Sequence, residues 1–496
     1  MDKLSTIYVE YFNDVYIRVF SEPHIEYEIR DYFTFEVPGA KFTPKYRARI
    51  WDGKIYLYSI LKKTLYAGLV DNLKQFAQTH NYKIEYTNQP PEYDQFSEEE
   101  IVEYARGLQI HSKEIPVHVR DYQLDSIVHG INRGRCIILS PTGSGKSLII
   151  YILCRWHLLR NRKILIVTPT TSLVEQIYTD FIDYSSKNKW DTPSQCQKIY
   201  SGFTKEITKN ITMSTWQSIH RQPESWFKQF DVIIGDEAHL YKASSLTKIM
   251  EKMTDTKYRI GTTGSLDNKK IHTLVLEGIF GSVYKATTTK KLQDQGNLAQ
   301  LKIKSFLFKY PDDERKIVSK LKYQDEIHYI VTHSKRNNAI RDLAISLQGN
   351  TLLLFQYVEK HGLPLYNIIK EKAKNRQVYF VSGDTPVEER EKIRYNLSQE
   401  SNSILIASYG TSSTGINVPS IENIVFSSPS KSIIRVLQSI GRGLRINKDK
   451  RMCTLYDITD DFSWRTKKNY TLQHGAERYK IYAKEDFPVK LVGIDL

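Results

Sequence analysis

At 496 residues, with roughly 100–200 residues per domain the usual range, the chain is expected to hold about three domains, and its 40% hydrophobic content without low-complexity tracts excludes a mainly disordered protein. Lysine and arginine outnumber aspartate and glutamate 71 to 56, a formal charge of +15 that points to a polyanionic partner. No stretch approaches the ~20 apolar residues of a membrane span, and Asp2, Glu10 and Asp14 interrupt the apolar N-terminus, so neither membrane insertion nor export is expected.

The chain opens with IYVEYF, VYIRVF, KIYLY and YKIEY, alternating runs that predict strands within residues 1–86. They lead into TNQPPEYDQFSEEE, whose paired prolines and clustered acids read as a connector, so a small separate α+β domain over 1–112 is expected. Residues 37–63 hold seven bases, Lys41, Lys45, Arg47, Arg49, Lys54, Lys62 and Lys63, against one acid, Asp52. Lys45, Arg47 and Arg49 alternate and on a strand would project from one face, a spacing suited to phosphate contacts. Tyr46 reads as core, and Trp51 reads equally as core or as a platform on which a base stacks.

From Arg135 to about Thr287 the apolar runs CIIL, KILIVTP, ITMSTW, DVIIGDE and YRIGTTG alternate with helical patterns such as SLVEQIYTDFIDY. This is the signature of an open parallel α/β sheet, placed here in a domain over 113–298. After CIIL stands SPTGSGKS (140–147), which fits Gly-x-x-x-x-Gly-Lys-Ser/Thr except that Ser140 replaces the first glycine. Thr142, Gly143, Ser144 and Gly145 would wrap backbone N–H groups around phosphates, Lys146 would reach the β- and γ-phosphates, and Ser147 would ligate Mg²⁺ at a helix N-terminus. ATP with Mg²⁺ is therefore the expected ligand.

The second half of such a site is an acid after an apolar strand, and DVIIGDEAHL (231–240) supplies two. Asp236 would hold Mg²⁺ directly or through water, and Glu237 would act as general base on the attacking water. Alone, the acid pair would equally suit a helix N-terminus. His239 has no second ligand at metal spacing, and Cys136, Cys154, Cys196 and Cys453 are far apart, which argues against zinc and against a disulfide framework and fits a reducing cytoplasm.

A second α/β unit, over 299–496, is announced by TLLLFQY, QVYFVSG, SILIASYG and ENIVFSS with helix-forming segments such as VEEREKIRYNL between them. It has no P-loop of its own. Near its end QSIGRGLR (438–445) would present Gln438, Arg442 and Arg445 on one helix face as a γ-phosphate clamp. Arginines supplied from another domain can be worth ~10³ to 10⁵ in rate, which would make hydrolysis conditional on domain closure. The plainer reading of that helix is a basic face toward solvent or nucleic acid. Residues 431–496 carry 14 bases and eight acids, a solvated surface or a duplex contact, while His474 and Arg478 at i, i+4 read as structural.

These stretches taken in order resemble the superfamily-two helicases: RDYQ (120–123), SPTGSGKS, PTTSLVEQ, STWQS, GDEAH, GTTGS, VSGD, SYGTSSTGINVP and QSIGRGLR. GTTGS stands where that superfamily usually has Ser/Thr-Ala-Thr. The resemblance implies two tandem RecA-like domains, adenine reading by Arg120 and Gln123, and ATP sensing by Gly415 and Asn417. It also implies that Thr170, Gly202, Thr215, Gly383 and Thr414 contact the backbone of one nucleic-acid strand. Outside the motor, YFTFEVPGAKFTPKYRARIWDGKIYLY and the ending LQHGAERYKIYAKEDFPVKLV are similar to the UvsW-type recombination helicases of bacteriophages.

That resemblance implies ATP-driven work on branched, duplex or single-stranded DNA in phage recombination, repair and replication: Holliday-junction migration, fork regression and release of RNA from RNA–DNA hybrids. A monomer in the host cytoplasm is expected, with other recombination proteins as potential partners. The rival readings are an RNA-specific helicase, a passive DNA-binding or annealing protein with a vestigial ATP site, and the motor subunit of a restriction complex.

Overall fold

The computed structural model describes residues 5–496 apart from 38, 242–243, 267–269, 375, 415–420, 430–440 and 442–451. The N-terminal region contains β1 (Thr6–Tyr11), β2 (Tyr16–Phe20), β3 (Thr34–Glu36), β4 (Lys54–Tyr56), β5 (Thr64–Tyr66) and β6 (Lys83–Tyr86). Four of these form a sheet in the order β5-β2-β1-β6, while β3 and β4 make a separate antiparallel ribbon. Alternation decides the packing: Ile7 and Val9 of β1 and Ile17 and Val19 of β2 are fully buried, in one core with Ile25 and Ile29 of the helix Pro23–Tyr32 and Leu73 of the helix Val70–Thr79.

One local expectation is corrected. Lys45 and Arg47 lie not on a strand but on a helical turn, Pro44–Arg47. The Thr43 hydroxyl caps it by accepting the Tyr46 N–H, Pro44 fits the first helical position, and Arg49 follows in the left-handed region at φ 56°. Alternation therefore does not align the three cations.

A two-residue ribbon, β7 (His111–Ser112) with β8 (Ile115–Pro116), precedes the first large sheet. That sheet comprises β9 (Arg135–Leu139), β10 (Ile164–Thr168), β11 (Cys196–Ile199), β12 (Ile211–Thr215), β13 (Val232–Asp236), β14 (Tyr258–Thr263) and β15 (Val283–Lys285), all parallel, in the order β11-β12-β10-β13-β14-β9-β15. Helices cover both faces, so β10, β12 and β13 are buried along their whole length.

The second large sheet contains β16 (Gln300–Lys309), β17 (Asn350–Phe355), β18 (Val378–Val381), β19 (Ile404–Ser408), β20 (Ile421–Phe426), β21 (Met452–Asp461) and β22 (Val489–Asp495). It too is parallel throughout, in the order β18-β19-β17-β20-β21-β16-β22. Counted within each unit, both sheets follow one pattern: third, fourth, second, fifth, sixth, first, seventh strand. The fold is thus α/β, with two tandem RecA-like domains behind a small α+β one.

The N-terminal domain and the first large sheet belong to one compact unit; the second unit begins at Thr287 apart from the short loop 141–144. Within the first unit the two sheets are joined at the base of β9. The Asp14 N–H donates to the Thr254 carbonyl (3.0 Å), Arg135 Nη1 to the Asp14 carbonyl (2.8 Å), and the Tyr66 hydroxyl to Glu251 Oε1 (2.6 Å). A Cβ on Gly68 would stand 2.1 Å from the Glu277 carbonyl oxygen, so only glycine permits this approach. All four cysteines are free and buried, and burial pushes the thiols of Cys136 and Cys196 up to about 12. Among the described residues no helix is long and apolar enough to cross a membrane.

Candidate active site

Neighbouring parallel strands end together, so the order β13-β14-β9 brings the loops after these three strands side by side. The loop after β9 is tied to β14 by the Ser140 N–H, which donates to the Thr263 carbonyl (2.9 Å). It turns through Gly143 and Gly145 at φ 85° and 84°, then enters the helix Lys146–Leu158. A Cβ at Gly145 would meet the Gln123 amide nitrogen at 2.4 Å. Thr142, Gly143 and Ser144 form the turn, Ser147 sits half-buried on the first helical turn, and the Lys146 ammonium donates to the Ser140 carbonyl (3.3 Å).

Asp236 ends β13 at 8% exposure, and its Oδ1 accepts a hydrogen bond from the Thr262 hydroxyl on β14 (2.8 Å). Burial pushes this carboxyl above its ordinary value and the adjacent Glu237 charge adds to the rise, while Lys146 and the Thr262 bond pull the other way. Glu237 occupies the left-handed region at φ 51°, an uncommon conformation for a side chain of this size. His239 Nδ1 lies 3.3 Å from Glu237 Oε2 and 3.0 Å from the Thr263 hydroxyl, and Thr263 in turn donates to the Ser265 carbonyl (3.0 Å). The residues after β13 and β14 are thereby linked.

The oxygen donors fit a hard cation. Mg²⁺ takes one or two carboxylates, a hydroxyl and substrate phosphates rather than a closed protein cage. Asp236 and Ser147 supply such a set, and no group of three or more His, Cys, Asp or Glu side chains able to hold a metal occurs among the described residues.

Gln123 is buried on the first turn of the helix Asp121–Arg133, its Oε1 accepting the Arg120 N–H (2.9 Å). The structure thus brings Gln123 against the phosphate loop, with Arg120 exposed beside it and bonded to the Tyr122 hydroxyl (3.2 Å). Thr170, Gly202 and Thr215 gather at the ends of β10, β11 and β12, the other flank of the same sheet. Thr170 caps the helix Thr171–Ser185, Gly202 is exposed at φ 90°, and Thr215 is buried with its hydroxyl 2.9 Å from that of Ser218.

Gly383 follows β18 on the corresponding flank of the second sheet, exposed, its carbonyl accepting from Arg390 Nη2 (2.6 Å). Thr414 ends the helix Tyr409–Thr414, but its side chain, together with Gly415, Asn417, Gln438, Arg442 and Arg445, lies outside the described residues. In the N-terminal domain Lys45, Arg47 and Arg49 are exposed, whereas Trp51 is half-buried with its indole N–H donating to the Lys54 carbonyl (2.8 Å). Sequence reading alone does not single out Thr262 and Thr263, and weighs His239 only as a metal ligand; the signal available is that GTTGS and GDEAH each end an apolar strand.

Two RecA-like domains with these strand-end loops define an ATP-dependent helicase. Comparison with known proteins agrees along the whole chain. The family described as "DNA helicase UvsW, N-terminal" matches residues 6–87, "Type III restriction enzyme, res subunit" matches 108–268, and "Helicase conserved C-terminal domain" matches 315–447. The ATP-dependent DNA helicase uvsW of Enterobacteria phage T4 is 35% identical over 99% of this chain and 100% of its own length. The crystal structure of T4 UvsW superposes with a TM-score of 0.53 at 32% identity, covering 99% of each chain. An ATP-dependent Type ISP restriction-modification enzyme bound to DNA shares the fold alone, with a TM-score of 0.56 at 13% identity over 77% of this chain and 32% of that one. The chain belongs to the UvsW family of ATP-dependent DNA helicases.

Proposed function

We propose that the protein is a DNA translocase for branched substrates, driving four-way-junction migration, fork regression and release of RNA from RNA–DNA hybrids in phage recombination, repair and replication. The observation that carries this reading is the pairing of a motor with an N-terminal domain whose exposed cations, Lys45, Arg47 and Arg49, lie outside the motor. In this division of labour residues 1–112 grip DNA, 113–298 hold and hydrolyse ATP, and 299–496 complete the site and advance. The protein would work in the host cytoplasm as a monomer.

At the ATP site Lys146 sets its charge against the β- and γ-phosphates, backbone N–H groups of 142–145 surround them, and Gln123 with Arg120 reads the base. Ser147 and Asp236 would hold Mg²⁺, which would supply neutralisation of phosphate charge. Glu237 orients the attacking water and takes its proton, and His239 fixes Glu237 to the segment after β14. Gln438, Arg442 and Arg445 clamp the γ-phosphate, with Gly415 and Asn417 as sensors. The backbone of one strand runs past Thr170, Gly202, Thr215, Gly383 and Thr414. Each base-pair step holds ~1.4 kcal/mol of stacking. Branch migration remakes as many pairs as it breaks, so the motor mainly supplies direction.

The deciding experiment is steady-state ATPase activity with no nucleic acid, single-stranded DNA, duplex DNA, a four-way junction and matching RNA. Stimulation by DNA, greatest with the junction, is expected. Equal stimulation by RNA would move the assignment to an RNA helicase, and indifference to every nucleic acid would break the link between hydrolysis and translocation.

A further inference from the structure

Residues 39–56 of the N-terminal domain form a firmly tied loop. The Val37 N–H donates to the Gly53 carbonyl (2.8 Å), the Ile50 N–H to the Lys45 carbonyl (3.0 Å), and Thr43 caps the turn Pro44–Arg47. Gly53, at φ 82°, comes so close to Ala40 and Tyr46 that a Cβ there would lie 2.9 and 3.0 Å from their side chains. The Trp51 indole and Asp52 are also spent internally: Asp52 accepts the Lys54 N–H (3.0 Å) and the Tyr56 hydroxyl, which holds its carboxyl below the ordinary value.

Of the exposed large apolar side chains of this tied loop, Ile55 at 37% and Tyr56 at 45% are partly covered, whereas Phe42 at 78% and Ile50 at 77% stand in the open, on either side of the capped turn. Lys41, Lys45, Arg47 and Arg49 are exposed between and beside them, and none of the four makes an ion pair among the described residues. A cationic loop seeks phosphates. Apolar tips gain nothing from a phosphate backbone; the apolar surface DNA offers is the face of a base, and within a continuous duplex those faces are covered by stacking. They become available where stacking is interrupted, at a branch point.

We infer that Phe42 and Ile50 form a wedge that inserts at the branch point of junction DNA while the four cations hold the flanking phosphates. This rests on the DNA-motor reading above and gives it a source of branch selectivity in the N-terminal domain. Trp51, engaged within the loop, is not the inserting residue.

The test measures binding without ATP to a four-way junction and to a linear duplex, with 2-aminopurine at the branch point reporting loss of stacking. The proteins compared are the unaltered full chain, Phe42→Ala/Ile50→Ala and Phe42→Trp. The double variant is expected to lose on the order of tenfold of the junction-over-duplex preference. It should abolish the 2-aminopurine response and keep the salt dependence of duplex binding, while Phe42→Trp retains both preference and response. Circular dichroism checks that the double variant is folded, which the exposure of both side chains predicts. Unchanged preference and fluorescence would overturn the wedge, as would equal weakening on both substrates or a loss of self-association alone. Failure of the motor reading appears separately, as ATPase activity indifferent to DNA.

Discussion

The two large sheets share one strand order and put it to opposite uses. In the first, the ends of β9, β13 and β14 carry a glycine loop, a buried carboxylate bonded to one threonine, and a lysine that donates to the Ser140 carbonyl of its own loop. In the second, the matching ends of β16, β20 and β21 are filled by protein. The Tyr310 ring stacks on Phe462 at 3.7 Å and its hydroxyl donates to Asp460 Oδ1 (2.7 Å). Arg336, wholly buried, donates to both oxygens of Asp460 (2.7 and 3.1 Å) and to the Ser427 carbonyl (2.8 Å). Strand topology supplies the crevice twice. What separates the two copies is the residue set after the first strand: small residues and glycine in one, Tyr310-Pro311 in the other.

The contrast can be broken in several places. Lys146→Ala should lower ATP turnover on the order of 10³-fold, and a wild-type rate would remove the ATP-site assignment. Asp236→Asn and Asp460→Asn should then part company. The first should cut hydrolysis by ~10²-fold or more without loss of folding stability, because burial already disfavours its charge. The second leaves Arg336 buried and unpaired and should cost about 3–5 kcal/mol in denaturant unfolding. Equal stability changes in the two would erase the distinction.

A smaller effect concerns pH. Burial, with Arg162 and Arg160 adding to it, lowers His157 to about 3, and burial with Arg336 lowers His361 well below its ordinary value. Below about pH 6.5 the unfolded chain takes up protons that the folded one refuses. Stability should therefore fall with decreasing pH by about 1.4 kcal/mol per unit per histidine, and a flat profile between pH 6.5 and 4.5 would contradict these shifts. Smallest is the charge reversal of Lys45, Arg47 and Arg49 to Glu. It should shallow the salt dependence of junction binding by about 0.9 in slope for each phosphate no longer engaged, and an unaltered slope would return those residues to solvent.

The motor is legible where burial writes itself into composition. CIIL, KILIVTP, ITMSTW, DVIIGDE and YRIGTTG are central strands covered on both faces, and they form β9, β10, β12, β13 and β14. β16, QLKIKSFLFK, is harder to see because it alternates exposed and buried positions along its first half instead of running apolar. β11, β15 and β22 are short or lie at sheet edges, and β22 is largely exposed. The turn at 44–47 reads as a strand because alternating cations outweigh the Thr43-Pro44 start signal. At the site, phosphate-loop residues announce themselves by type and spacing. Thr262 and the Arg336–Asp460 pair acquire their roles only from neighbours 26 and 124 positions away.

The four cysteines have a practical consequence. Cys136, Cys154, Cys196 and Cys453 are at most 1% exposed, and burial suppresses thiolate formation at the first three. The native protein should be nearly silent to maleimide reagents. Gly107, where a Cβ would have no atom within 4 Å, and Ser398 are both exposed and stand outside the residues assigned to ATP and DNA, so a single cysteine placed at either would be open to one dye. With one dye on each unit, any change in the distance between the units during ATP turnover can be followed by energy transfer in single molecules, without first stripping the natural thiols.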